Sequence, residues 1–204
     1  MSNITFKQYR NIDLFIFTAL LVCSEAITTF ATNIWFDKQP VAISTTLIFI
    51  CMVMMRWSWF AIIPALVGGL VFCIASQNAT PELYAIYVIG NCMSLCSMLW
   101  FKVFDKEKIR KGPFKLFFFV ASSYLFLQMG RWFVSFFFGG GPTAIIRYLC
   151  TDIASLLFAT VVMFLMRNVE GMIEDQKAYL FRMQREREEK AKEVSPTAYT
   201  YDDE

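Results

Sequence analysis

Six apolar stretches, at roughly 12–36, 41–59, 60–76, 83–104, 114–138 and 143–166, constrain this chain more than any other feature. A helix rises about 1.5 Å per residue, so about 20 apolar residues cross the hydrocarbon of a bilayer. Most of the six stretches reach that length. The second and third are short: Arg56 closes a run of fifteen residues that starts at Val41, and Pro64 sits early in the next. Either is expected to be short, tilted or partly re-entrant. The stretch from Asn11 to Phe36 is too long for a leader and ends in Trp-Phe-Asp-Lys, so it does not read as a cleaved signal peptide.

Composition agrees. Of 204 residues, 57% are apolar and 18% charged, against about 45–50% and about 25% in soluble domains. The expected fold is an all-α integral membrane protein, a six-transmembrane-helix bundle with both termini cytoplasmic and a charged C-terminal helical extension. Loop charges set the orientation. Lys7, Arg10, Arg56, Lys102, Lys106, Lys108, Arg110, Lys111, Lys115 and Arg167 fall on one side, against Lys38 alone on the other. That asymmetry satisfies the positive-inside rule with an even number of spans. Trp57, Trp59 and Trp100 are expected at the inner boundary and Trp35 at the outer one.

Three domains are expected: 1–166 as a six-span substrate-binding domain, 167–193 as a cytoplasmic charged helix, and 194–204 as a disordered tail. The 167–193 segment carries seven basic and seven acidic residues. Val169, Ile173, Leu180 and Met183 form a thin apolar stripe on it, and Glu186–Lys190 and Glu188–Lys192 are i, i+4 pairs. It reads either as a solvated continuation of the last span or as a docking helix for a cytoplasmic partner.

The chain has no histidine, which removes His-ligated haem, most catalytic zinc and any Ser-His or Cys-His nucleophile. A net charge of +2 is too balanced for a nucleic-acid binder. The six cysteines, Cys23, Cys51, Cys73, Cys92, Cys96 and Cys150, all lie in apolar stretches, so none frames an external disulfide loop. Cys92 and Cys96 share a helix face without a third soft ligand beside them, and read as packing residues rather than a metal site.

Ionisable groups at bilayer depth are costly and mark function. Four are expected: Glu25, Arg131, Arg147 and Asp152. At the helical rise, Arg147 lies about 6 Å below the outer end of its span, Arg131 about 10 Å, Asp152 about 13 Å and Glu25 about 16 Å. Polar neighbours recur at helical spacing: Tyr124, Gln128, Arg131 and Ser135; Tyr148, Asp152 and Ser155; Tyr84, Tyr87, Asn91 and Ser94; Glu25, Thr28 and Thr32. Four such stripes at matching depth would enclose a substrate pocket open to the outside. Trp35 and Trp132 would wall it, and Gly139-Gly140-Gly141-Pro142 and residues 37–40 would cover it. The same charges would equally serve to pair with one another and fix helix register. Arginines beside aromatic and amide groups suit a small molecule with a carboxylate or phosphate and a flat or apolar part.

Ala61 and Ala65 form a small-x-x-x-small pattern followed by Gly68-Gly69, and Ala19 precedes Cys23 on the first span; such faces allow close helix approach. With these residues, the chain resembles the substrate-binding S component of an energy-coupling factor (ECF) micronutrient transporter. The likeness rests on length, six spans, the outer-half polar pocket, the Ala61/Ala65 motif, and Met54-Met55-Arg56-Trp57 through Gly68-Gly69-Leu70. It covers residues 10–167. It implies vitamin binding at the outer face and docking through Ala61, Ala65 and Ala19 onto a transmembrane coupling protein. Two cytoplasmic ATPases would drive import in a bacterial plasma membrane. The first span departs from the pattern, offering Ala19/Cys23 and Ser24/Thr28 in place of a clear Ala-x-x-x-Ala. No G-x-x-x-x-G-K-[ST] motif is present, so ATP would be hydrolysed by partner subunits and the chain itself would need no cofactor.

Two other classes compete. A membrane enzyme without histidine needs Ser-Lys or paired aspartates, and the lysines lie in loops while Asp152 is the one aspartate read within a span. An autonomous secondary transporter or channel would use Glu25 and Asp152 as proton or cation sites.

Overall fold

The computed structural model describes residues 5–36, 41–76 and 79–194. The lid segment at 37–40 lies outside them, as does the tail beyond Val194. The described chain is all helical, without strands. Helix α1 spans Phe6–Trp35, opened by Thr5, whose N–H donates to Gln8 Oε1 at 2.9 Å. Helix α2 is Thr46–Trp57, and a 3₁₀ turn at Ser58–Ala61 leads into α3, Ile62–Ala75. Helix α4, Pro81–Asn91, continues through a 3₁₀ stretch, Cys92–Leu99, into α5, Trp100–Val103. Then come α6, Lys106–Lys111, and α7, Pro113–Phe136. Helices α8, Ala144–Thr151, and α9, Ile153–Met166, precede α10, Gln176–Val194.

Three helical runs are long and apolar enough to cross a membrane, Phe6–Trp35, Thr46–Ala75 and Pro81–Val103, and the bent pair of α8 and α9 makes a fourth. The surface agrees. Phe15, Ile27, Phe118, Phe133, Leu157 and Leu165 are exposed, while Glu25, Arg56, Gln128, Arg131 and Asp152 are buried. Apolar outside and polar inside is the arrangement that hydrocarbon selects. This is a multi-pass membrane protein.

The second run does not continue straight. Ser58 has φ 54°, and a Cβ on Gly68 would lie 2.9 Å from Thr46 Cβ. Residues 22 apart in one straight helix would be about 33 Å apart. The run is therefore a hairpin: α2 descends and α3 returns beside it. Partners fix the directions. Thr45 meets Glu25 and Arg56 meets Asp13, so α2 runs antiparallel to α1. Asn33 reaches the Ala75 carbonyl at 3.4 Å, which brings α3 back up alongside α1.

The twelve residues of α2 are too few to cross alone. Before them, residues 41–45 descend as non-helical chain. Ala42 N–H donates to the Thr151 carbonyl at 2.9 Å and Ser44 N–H to Ser155 Oγ at 2.8 Å. Irregular backbone survives at membrane depth only where protein satisfies it in this way. Helices α4 and α7 cross closely at Gly90 and Gly130: a Cβ on Gly90 would lie 2.7 Å from the Arg131 backbone.

One end of the molecule, here the lower, gathers Tyr9, Asp13, Arg56, Lys106 and residues 167–176. The upper end holds Trp35, Ala75 and Phe136. The charged segment after Met166 departs from the expected helix over 167–193. It breaks at 167–175, where Gly171 has φ 73°, and α10 starts only at Gln176. Ile173 and Gln176 are buried against the bundle, Tyr9 Oη donates to Gln176 Oε1 at 3.1 Å, and Lys106 and Arg110 pair with Asp175 and Glu174, each at 2.6 Å. The segment is thus neither a continuation of α9 nor solvated along its length. On α10, Arg182 pairs with Glu170 and Glu174. The side chain of Glu188 and that of Lys192 lie outside the described ones. Trp57 is also displaced from its expected role as a boundary anchor: it is buried, with Nε1 donating to Asp13 Oδ2 at 2.5 Å.

Candidate functional site

The polar stripe on α7 forms because Tyr124, Gln128, Arg131 and Ser135 recur every three or four residues, on the face turned inward; all four are buried. Arg131 is the hub. Its Nη1 meets Asp152 Oδ2 at 2.8 Å, its Nε donates to Asn91 Oδ1 at 2.9 Å, and its guanidinium lies 4.5 Å from the centre of the Tyr87 ring. Gln128 Nε2 donates to the same Asp152 oxygen at 2.9 Å. Ser155 Oγ donates to the other, Oδ1. Asn91 Nδ2 in turn reaches the Ala65 carbonyl at 3.4 Å. Three helices and a break thus hold one charge pair with partners on Arg131 Nε and Nη1 and on both Asp152 oxygens, the kind of compensation a buried pair requires.

Asp152 occupies the break between α8 and α9, which meet at 45°. No proline or glycine adjoins it. The break is bridged instead by neighbours: Ala42 N–H takes the freed Thr151 carbonyl, and Tyr124 Oη donates to the Leu149 carbonyl at 2.6 Å. Discontinuous helices that place a charged side chain at the interruption are how membrane proteins build ion and substrate sites.

Glu25 lies apart from this pair and caps α2. Its Oε2 accepts from Thr45 N–H at 2.7 Å, Thr45 Oγ1 at 2.9 Å and Thr46 N–H at 2.9 Å. An anion at a helix N-terminus is stabilised by the free N–H groups there. The two carboxylates are connected through one short segment: Glu25 to Thr45, Ser44 to Ser155, and Ser155 to Asp152. Ser44 and Thr45 were not among the expected site residues, although Ser44-Thr45-Thr46 inside an apolar stretch was a legible signal. The sequence marks Tyr87 only as part of a polar stripe.

A cleft of about 520 Å³ opens at the upper end, lined by Glu82, Ser135, Gly140, Arg147 and Tyr148 among others. Below it a void of about 10 Å³, the smallest volume that admits a water, is lined by Ser44, Tyr87, Arg131, Tyr148 and Asp152. Tyr148 borders both, so it stands between the cleft and the charge pair.

The structure brings Arg131, Asn91, Gln128 and Asp152 together, and puts Arg147 and Tyr148 on the cleft. It does not bring in the rest. Trp35 is 77% exposed. Trp132 is half-buried with Nε1 unpartnered, and Tyr84 is half-buried and bonds to neither Arg131 nor Asp152. Ala61 and Ala65 are fully buried against their own chain, so in this conformation neither presents a face to a partner; Ala19 is exposed. Among the described residues no group of three His, Cys, Asp or Glu side chains converges on a metal position. Compared with known proteins, the chain matches no family model, no curated protein and no solved structure.

Proposed function

We propose that this chain is a self-contained secondary transporter of a small anionic or zwitterionic solute, with Asp152 and Glu25 as its proton or cation sites. Six membrane passes, both termini in the cytoplasm and a place in a bacterial plasma membrane belong to the same reading. They are supported by the alternating directions of the helices and by the basic residues gathered at the lower end. The observation that carries it is the buried Arg131–Asp152 pair at a helix break, 2.8 Å apart and directly beneath an open cleft. Neutralising Asp152 releases Arg131, whose free guanidinium then meets a solute carboxylate or phosphate entering past Tyr148. Restoring the Asp152 charge returns Arg131 to its pair and expels the solute. Differential affinity between two such states is what couples an ion to a solute. No covalent chemistry is assigned to any residue, and the chain is read as no enzyme.

A second reading is favoured by the cleft itself: its volume and its lining of Arg147, Tyr148 and the Gly139–Gly141 turn suit capture of a micronutrient by an S component. That reading requires a coupling protein and two ATPases.

Charge-movement recordings on the purified chain in liposomes separate the two. The solutes are a panel of small carboxylates and organic phosphates, applied with a pH or sodium step. Currents from the chain alone that Asp152→Asn removes support the first reading. Silence from the chain alone, with uptake only after a coupling protein and ATPases are added, supports the second.

A further inference from the structure

The carboxylate of Glu25 is satisfied on one side only. Three donors converge on Oε2, two of them backbone N–H groups at the start of α2. They hold the negative charge there. Oε1 is buried and has no partner. Two further unpartnered buried oxygens belong to the elements that carry and cap it. Thr29 Oγ1 stands one turn along α1 on the same face as Glu25, and Thr46 Oγ1 belongs to a residue whose N–H already binds the carboxylate. Neither hydroxyl has a hydrogen-bond partner within 3.5 Å, although the Ser44 and Thr46 side chains both lie within reach of the carboxylate. Gly68 of α3 packs directly on the Thr46 side chain and closes the site on that side.

Unpartnered buried oxygens are expensive in a low-dielectric interior, and here one carboxylate oxygen and two threonine hydroxyls from adjoining elements share that condition. A proton on Oε1 would itself need an acceptor, and would satisfy one threonine while leaving the other. A bare cation satisfies all three. Ser24, Ser44, Thr45 and Thr46, the polar residues around the carboxylate, are neutral, so a single positive charge balances Glu25 and a divalent ion would leave an excess. Carboxylate and hydroxyl oxygens are hard ligands, matched to a hard ion. We propose that Glu25 Oε1, Thr29 Oγ1 and Thr46 Oγ1 form part of a buried sodium site. It rests on the transporter reading for its purpose but not for its test. The site also bears on mechanism: it sits where α1, α2 and α3 meet, and Thr45-Ser44-Ser155 ties it to Asp152. Occupancy of the one is thereby linked to the geometry of the other.

Thermal unfolding of the purified full chain in detergent tests the site, with sodium, potassium and choline chlorides at equal ionic strength. Sodium is expected to raise the midpoint saturably, whereas potassium and choline do so weakly or not at all. Glu25→Gln keeps an acceptor for Thr45 and Thr46 and is expected to lose the sodium response. Thr29→Val removes one ligand and is expected to raise the half-saturating sodium concentration about tenfold. Equal effects of all three salts would overturn the site, as would an unchanged response in Glu25→Gln. If that variant does not fold, an unchanged sodium titration in Thr29→Val overturns it instead. In the parent chain, currents that Asp152→Asn abolishes, found without any sodium response, would sink the site and spare the transporter; a sodium response without such currents would spare the site and sink the transporter.

Discussion

Arg56, near the end of α2, grips Asp13 of α1 in a two-pronged pair: Nη2 to Oδ1 at 2.6 Å and Nε to Oδ2 at 3.0 Å. Its remaining nitrogen, Nη1, donates to the carbonyls of Gly171 and Met172, the latter at 3.0 Å. One side chain therefore joins the first helix, the hairpin and the segment after the last apolar helix. Planar, bidentate pairing is what distinguishes arginine from lysine at such a point. The lower end of the bundle is closed around it.

Removing one member of a buried pair leaves the other charge uncompensated, at about 3–5 kcal/mol. Arg56→Gln is expected to lose stability at the lower part of that range, because Asp13 keeps the Trp57 Nε1 bond. Arg56→Lys, with one point charge for two prongs, is expected to fall between. Unfolding in graded detergent mixtures measures both. Limited proteolysis should cut Arg56→Gln within 167–175 faster than the parent, since Gly171 and Met172 lose their anchor.

The ion pairs at the lower end differ in worth. Arg110 and Glu174 are both largely buried and 2.6 Å apart, whereas Lys111 and Glu107 form an i, i+4 pair in open solvent. Glu174→Gln is expected to free the start of α10 and raise amide exchange over 174–182. Glu107→Gln is expected to change nothing measurable. The Glu107 carboxyl is held below its usual range by the Lys111 hydrogen bond and charge. A depressed carboxyl stabilises above its ordinary value and loses that contribution as pH falls through the lowered one. Any trace of this pair should therefore vanish only in acid, below the ordinary glutamate range.

The α4–α7 crossing makes a steric prediction. A Cβ at Gly130 would lie 2.6 Å from Met93 Cβ and press on the Gly90 carbonyl, while at Gly141 it meets nothing nearer than Thr143 Oγ1 at 3.9 Å. Backbone cannot step aside as a flexible side chain can. Gly130→Ala is expected to cost at least the roughly 1–3 kcal/mol of an overpacked core, and to disturb the Arg131–Asn91 bond next to it. Gly141→Ala is expected to be silent. Thermal midpoints of the two variants, measured side by side, decide it.

What the sequence disclosed follows from where the physics is local. The apolar runs and the inward stripe Tyr124–Gln128–Arg131–Ser135 are properties of composition and of 3.6-residue spacing, so both are legible one segment at a time. The reversal at Ser58 is legible in outline, since the apolar stretches part at 59/60 and Arg56 falls on the inner side; its tightness is not, because Trp-Ser-Trp carries neither glycine nor proline and the close approach of Gly68 to Thr46 is tertiary. Arg56 reads only as one of the inner-side basic residues, and nothing in the local sequence names Asp13 as its partner until the fold buries the two against each other. The break at Asp152 was equally hidden. Nothing at 151–153 interrupts a helix locally; the interruption depends on Ala42 and Tyr124, each more than 20 residues away in the chain, taking the freed carbonyls. The 167–193 segment carried helical charge spacing throughout, and tertiary contacts of Ile173, Glu174 and Asp175 overrode it in its first third.

The Arg131–Asp152 pair permits a test that separates stability from function. Either single apolar substitution, Arg131→Met or Asp152→Leu, strands a charge in the bundle and is expected to destabilise by about 3–5 kcal/mol. The double replacement removes both charges at once and is expected to recover most of that loss, since a buried pair exchanged for packed apolar groups is often close to neutral. A residual deficit should remain, because Gln128 and Asn91 lose partners they hold in the parent. Recovered folding with charge movement abolished makes the pair a working element of the transporter. Recovered folding with currents of parental size reduces it to a device for helix register and moves the coupling role wholly to Glu25.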